Sequence, residues 1–298
     1  MPNLQPPLPG KPSWLSSPQK PRVMLIGAGD REHVREEAVR LQQIIPQYAE
    51  LVHVDLDWKS ELSEIDADFA IVLGGDGSLL AAARSMGHRQ VPVAGVNMGK
   101  LGFLAEFSPE EMCAELPNIC RGDCFVIEHM MFRCRVFEGE DLIGEAIGLN
   151  EAAILGGPPF QIQTIDLYVD SKLATTYNCD GLIVSTPVGS TAHNLSAGGP
   201  ILRADLHAFV VSPISPHTLT VRPVVDTAER TYEIRVTGAE ANLSVVVDGR
   251  VLARLTPELR VVVDRAEQRF KRIAIASHNY YRTLREKLGW GGRIDNGR

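Results

Sequence analysis

No apolar stretch in this 298-residue chain approaches the roughly 20 residues that a bilayer-crossing helix needs, so a helical membrane span is excluded. Cations are in deficit. Lys and Arg number 30 against 37 Asp and Glu, a net charge of −7 that argues against a general nucleic-acid or anionic-membrane binder. Cysteine is sparse and odd in number: Cys113, Cys120, Cys124, Cys134 and Cys179. Cys120 and Cys124 form a C-x3-C pair with no second tight Cys/His pair beside it, and the histidines show no ligand spacing. We therefore expect reduced thiols in a cytoplasmic protein, with no zinc and no metal site built from the protein's own side chains.

Helix-forming periodicity is also unevenly supplied. Seven of the 19 prolines fall in the first 21 residues, and this segment lacks the apolar centre of a secretory signal. We expect an unfolded leader over 1–21. From Arg22 the pattern alternates. Val23 to Ile26, Leu51 to Leu56, Phe69 to Leu73 and Val91 to Val96 read as strands. Arg31 to Ile45, with apolar Val34, Ala38, Leu41 and Ile45, and Gly77 to Met86 read as helices. Such alternation predicts an α/β domain over 22–124.

Beyond Cys124 the helical period nearly disappears and runs rich in Val, Ile, Thr and Tyr take over. They include Phe125 to Phe137, Gln161 to Val169, Leu182 to Ser185, Phe209 to Ser212, Leu219 to Val225, Tyr232 to Thr237, Leu243 to Val247 and Leu259 to Val263. Asp170-Ser171 and Asp248-Gly249 supply hairpin turns. An all-β domain over 125–271 is predicted. A last helix, with Tyr280, Leu284 and Leu288 on one face, must bury its stripe and is expected to pack back on the first domain, completing it with 272–298.

Three segments carry chemistry. Gly74-Gly75-Asp76-Gly77-Ser78 lies between a strand and a helix, where missing Cβ atoms and a helix N-terminus suit phosphate groups; the alternative is a tight turn with Asp76 as helix cap. It is neither a Walker loop nor G-x-G-x-x-G. A carboxylate there can position a hydroxyl and relieve it of its proton. Asp180 to Pro200 concentrates uncharged hydrogen-bonding groups, among them Ser185, Thr186, Ser190, Thr191, Asn194 and Ser196, suited to sugar hydroxyls and base edges; the alternative is a strand connection with capping roles. Asn150-Glu151 interrupts an apolar run, so one or both need a buried partner or a ligand.

In this order, and with Val96-Asn97, Gly99, Leu101-Gly102-Phe103-Leu104, Pro216-His217-Thr218-Leu219 and Arg222-Pro223, the sequence resembles the NAD kinase family from Arg22 to Trp290. The Asp180 to Pro200 block is the specific part; Gly-Gly-Asp-Gly alone is shared with lipid and sugar kinases. The resemblance implies a cytoplasmic transferase that moves a phosphoryl group from ATP to the 2′-hydroxyl of the adenosine ribose of NAD, making NADP, with magnesium on the donor phosphates. It implies Asp76 as catalytic carboxylate and Gly74, Gly75, Gly77 and Ser78 as the phosphate loop. It also implies Asp76, Gly77, Asn150, Glu151, Asp180, Thr191, Ala192, His193, Asn194, Leu195, Ser196 and Ser215 as NAD-binding positions. The implied architecture is an α/β domain, a two-sheet β-sandwich and a returning C-terminal helix, in a homodimer or homotetramer.

Against the family pattern, Val188 replaces a Thr, His193 a Tyr, and Asn178 an Arg, while Gly156-Gly157 stands where some members are basic. We expect weaker anchoring of the dinucleotide pyrophosphate, or its replacement by another Lys or Arg such as Lys100. A lipid or sugar kinase sharing only the glycine loop, and a non-catalytic dinucleotide sensor, are the alternative readings.

Overall fold

The computed structural model describes residues 10–16, 19–99, 102–158, 161–218, 220–237, 243–276 and 280–289. The chain divides into two compact units, Met1–Glu128 with Lys271–Arg298, and His129–Phe270.

The first unit runs β1 (Arg22–Gly27), α1 (Glu32–Tyr48), β2 (Glu50–Asp55), β3 (Phe69–Gly74), α2 (Asp76–Met86), β4 (Val93–Asn97) and α3 (Pro109–Cys120). The strands form a parallel sheet in the order β2-β1-β3-β4. Every residue of β3, and all but the first of β1, is buried, as expected of parallel strands covered on both faces. Val34, Ala38, Leu41 and Ile45 of α1 are completely buried and join Val23, Leu25, Phe69 and Ile71 in one core.

Helix α3 has no counterpart in the sequence reading. Its start is nonetheless written there: Pro109 opens the helix, the Ser108 hydroxyl accepts the Glu111 N–H at 3.1 Å, and the Glu111 carboxylate accepts the Ser108 N–H at 2.9 Å.

The leader also differs from expectation. Gly10 exchanges two backbone hydrogen bonds with Val126, at 3.1 and 3.0 Å. Trp14 is 4% exposed, donates its indole N–H to the Ile119 carbonyl at 3.1 Å and lies with its ring 4.9 Å from that of Phe69. A proline-rich composition predicts disorder only where nothing large and apolar can be buried, and a single indole supplies that area here. Residues 1–9 and 17–18 lie outside the described ones.

The chain continues through β5 (Phe125–Glu138), β6 (Asp141–Gly148), β7 (Glu151–Gly156), β8 (Gln163–Val169), β9 (Lys172–Cys179), β10 (Gly181–Ser185), a 3-10 turn Gly189–Thr191 and α4 (His193–Ser196). After these come β11 (Ala208–Ile214), β12 (Val224–Thr227), β13 (Tyr232–Thr237), β14 (Leu243–Val247), β15 (Arg250–Leu255) and β16 (Leu259–Ala274). Two antiparallel sheets make the second unit. One has the order β16-β13-β8-β9 with β5 and β6 attached through β16; the other has the order β12-β11-β10-β7-β14-β15. Phe132, Ile165, Tyr232 and Val263 of the first sheet pack with Ile154, Leu182, Phe209 and Val245 of the second, giving the expected two-layer sandwich.

Both anticipated hairpin turns have left-handed residues, Asp170 and Ser171 at φ 48° and 66°, and Asp248 and Gly249 at 45° and 78°. Of the strand expected over Leu219 to Val225, Leu219 lies outside the described residues and among the rest the strand begins only at Val224, since Pro223 lacks the donor that pairing needs. The strand expected over Leu259 to Val263 continues to Ala274, where Arg272 pairs with Val93 of the parallel sheet. Helix α5 (Tyr280–Leu288) belongs to the first unit. It buries Thr283 and Leu284, while Leu288 remains exposed, and Lys287 Nζ lies 4.4 Å above the Phe103 ring.

Candidate active site

In the first unit, β3 delivers the chain to the glycine loop and α2 leaves it. Gly74 has φ 149°, and a Cβ on it would lie 2.0 Å from the Ser78 hydroxyl, so the turn itself requires glycine there. Gly75 and Gly77 are different. A Cβ on either would meet nothing within 4 Å, so the space above them is open to a ligand rather than filled by the fold. It forms a cleft of about 290 Å³ lined also by Ala28, Arg31, Trp58, Ser78 and Ala81. The first turn of an 11-residue helix faces the same loop, which is the arrangement that attracts phosphate oxygens.

Gly75, not Asp76, occupies the cap position of α2, with no side-chain cap. The Asp76 carboxylate is instead held by a nest of backbone donors. Phe103 N–H reaches Oδ2 at 2.8 Å, and Leu104 and Ala105 N–H reach Oδ1 at 2.9 and 3.2 Å. Gly102 permits this close approach, because a Cβ there would fall 2.1 Å from Asp76 Oδ1. A carboxylate offers about four lone-pair positions, about two on each oxygen. The two bonds to Oδ1 use that oxygen up, and among the described residues the single bond to Oδ2 leaves one position open.

In the second unit, Asp248 organises Asn150-Glu151. From the β14–β15 turn its carboxylate accepts the N–H groups of Leu149, Asn150 and Glu151 at 2.7, 2.8 and 3.1 Å. The Asn150 carbonyl accepts the Thr186 N–H at 2.9 Å and the Ser185 hydroxyl at 3.3 Å. Gly189 packs directly on that carbonyl, where a Cβ would sit 2.1 Å from the oxygen. Glu151 is 8% exposed, and its Oε2 has no hydrogen-bond partner among the described residues. Burial, then the neighbouring Asp248 charge, push its carboxyl up to about 8, against the opposing backbone N–H of His193.

Much of the polar block from Asp180 to Pro200 serves the fold. Ser185, Thr186, Ser190 and Asn194 are completely buried. Thr186 Oγ1 donates to the Leu149 carbonyl at 2.5 Å and Ser190 Oγ to that of Pro187 at 2.6 Å. Asn194 donates to the Ser190 and Pro200 carbonyls at 3.1 Å each and accepts the Ser212 hydroxyl at 2.6 Å. Its amide is thus committed internally, and of the connection-versus-ligand alternatives the former describes these four side chains. Thr191, Ala192, His193 and Leu195 are half-buried, and Ser196 is exposed.

Asp180 is exposed and lies 3.8 Å from His217 Nε2; Ser215 is exposed with φ 45°. Asn178 accepts the Thr164 hydroxyl at 3.1 Å, and Val188 packs at 6% exposure. Lys100 falls outside the described residues. Sequence reasoning missed Asp248, which acts across 97 residues, and Arg31, the cation at the glycine loop. Only the Asp-Gly turn signal of Asp248-Gly249 pointed toward the former.

The first unit thus offers an open glycine loop beside a clamped carboxylate, and the second a buried carboxyl among polar turns. Residues 24–124 match the ATP-NAD kinase N-terminal domain and residues 149–275 the ATP-NAD kinase C-terminal domain. The chain belongs to the NAD kinase family. It is 50% identical over 284 residues to the NAD kinase of Rhodopirellula baltica, covering 95% of this chain and 91% of that protein. It is 42% identical to that of Geobacter metallireducens, covering 76% and 80%. Among solved structures it resembles an Archaeoglobus fulgidus NAD kinase in complex with ATP, with TM-score 0.68, 27% identity and coverage of 90% and 97%. It shares its fold with the yeast NADH kinase complexed with NADH, with TM-score 0.82, 19% identity and coverage of 94% and 91%. NAD kinase activity follows for this chain, and the lipid-kinase, sugar-kinase and sensor readings fall away.

Proposed function

We propose that Asp76 is the proton acceptor in transfer of the γ-phosphoryl group of ATP to the 2′-hydroxyl of the adenosine ribose of NAD. The observation that carries this is the clamped carboxylate with one open position on Oδ2. The 2′-oxygen bonds to the γ-phosphorus, the bond from that phosphorus to the β,γ-bridging oxygen breaks, ADP leaves, and the hydroxyl proton passes to Asp76 Oδ2. Three N–H donors fix the carboxylate's orientation, so little reorganisation accompanies the transfer. Gly74, Gly75, Gly77 and Ser78 form the phosphate loop, and Arg31 supplies positive charge beside it.

Magnesium belongs to this reading. Among the described residues no three His, Cys, Asp or Glu side chains come together as ligands, while the backbone at Gly75 and Gly77 is open. The open backbone at Gly75 and Gly77 would leave room beside the loop for an ion carried in on the donor phosphates. When bound, magnesium neutralises charge on the transferring phosphate.

In the second unit, Asn150, Glu151, Asp180, Thr191, Ala192, His193, Leu195, Ser196 and Ser215 are the dinucleotide-binding residues, with Asn194 shaping the segment from within. Glu151, protonated at neutral pH, offers the unpartnered Oε2 to a ribose hydroxyl. A cytoplasmic homodimer or homotetramer completes the reading. Incubation with ATP, magnesium and NAD, with the product's phosphate located by phosphorus NMR, should give the 2′-phosphate. A phosphate on another hydroxyl would contradict the assignment.

A further inference from the structure

Beside the glycine-loop cleft lies a second, larger one of about 640 Å³, lined by Gly29, Asp30, Arg35, Leu56, Trp58 and Lys59. Ala28 and Trp58 line both clefts, so the larger space continues from the loop on the side where β1 and β2 end. We infer that this second cleft receives the base and ribose of the phosphoryl-donor nucleotide and that Trp58 is the platform on which the base stacks, an assignment that rests on ATP being the donor.

The cleft is built rather than incidental. Gly29 N–H donates to the Leu56 carbonyl at 2.8 Å, and a Cβ on Gly29 would sit 2.8 Å from that of Leu56, so the β1 and β2 loops are stitched together at closest approach. Asp55, 5% exposed, gathers the next loop around its carboxylate: Asp57 and Lys59 N–H reach Oδ1 at 2.9 and 3.4 Å, and Ser60 N–H reaches Oδ2 at 2.8 Å. His53 Nε2 ties the Ser60 hydroxyl at 2.9 Å. Inside this frame Trp58 adopts φ 58° and stays half-buried at the wall of both clefts instead of entering the core. A half-buried indole lining a cleft of this size, next to a phosphate loop and to Arg31 and Arg35, has the chemistry of a nucleoside site. Its π-face accepts a base, while phosphates reach Gly75 and Gly77.

The test compares wild type, Trp58→Ala and Trp58→Phe. Steady-state kinetics would vary ATP and NAD separately, and calorimetry would follow magnesium-ATP binding without NAD. Loss of one base-stacking partner should raise both the KM and the Kd for ATP by roughly tenfold in Trp58→Ala, with Phe recovering most of it. The KM for NAD should stay within about twofold, and inorganic tripolyphosphate, which has no base, should inhibit wild type and Trp58→Ala equally. Unchanged ATP binding in a folded Trp58→Ala, or a rise in the KM for NAD in place of that for ATP, would overturn the assignment. If wild type bound ATP but made no NADP, the donor reading would fail while calorimetry still decided Trp58.

Discussion

Burial and the charge of Asp248 keep the Glu151 carboxyl protonated up to about pH 8 in the folded chain, whereas its ordinary value is 4.5. Between these values the folded state holds a proton that the unfolded state has released, so stability falls as pH rises from about 4.5 to about 8. Glu151→Gln mimics the protonated form. The melting temperature of the variant should be flatter across this range and exceed that of wild type at pH 8. Superimposable melting profiles would show that Glu151 ionises normally. Asp248 merits the opposite expectation. Asp248→Ala strips three backbone N–H groups of their acceptor, so it should destabilise by about 2–4 kcal/mol and weaken NAD binding, read by denaturant unfolding and calorimetry.

The loop Gly102–Ala105 is the element that aims Asp76. Gly102→Ala places a methyl group against Oδ1, so it should lower kcat by about 10- to 100-fold while the chain stays folded, because a displacement near 1 Å suffices for such losses. At α3, Ser108→Ala removes half of a capping box and should cost about 1 kcal/mol in denaturant unfolding without altering kinetics. These elements also show what sequence makes legible. The period of Val34, Ala38, Leu41 and Ile45 and the buried run of β3 were readable because each repeats one local rule. Helix α3 escaped because Pro117 interrupts the stripe of Met112, Leu116 and Ile119, although Ser108-Pro109-Glu110-Glu111 announces its start. Asp76 stood out through its glycine neighbours. Its clamp did not, because a bond from residue 103, 104 or 105 leaves no local signature. Likewise, composition could not tell hydroxyls that face a ligand from those that, like Ser190, close an internal turn.

For the whole molecule, the net charge of −7 sets a problem that a kinase using two polyphosphate-bearing ligands must solve by placement. Arg31 lines the glycine-loop cleft, where phosphate is expected, while in the adjoining cleft Arg35 and Lys59 are offset by Asp30 and Asp57, the latter 2.9 Å from Lys59 Nζ. The second unit contributes the opposite resource, a sandwich whose buried Asn194 and Ser212 hold the Thr191–Ser196 segment in shape. The proposed phosphoryl transfer depends above all on Asp76 as the group that takes the hydroxyl proton. The direct measurement is single-turnover formation of NADP by Asp76→Asn beside wild type, with NAD affinity measured in the same preparations. Asparagine keeps the size of the side chain but not its proton-accepting carboxylate. The rate should fall by at least about 100-fold with NAD affinity changed by no more than a few-fold. A rate at the wild-type level in Asp76→Asn would contradict the central claim.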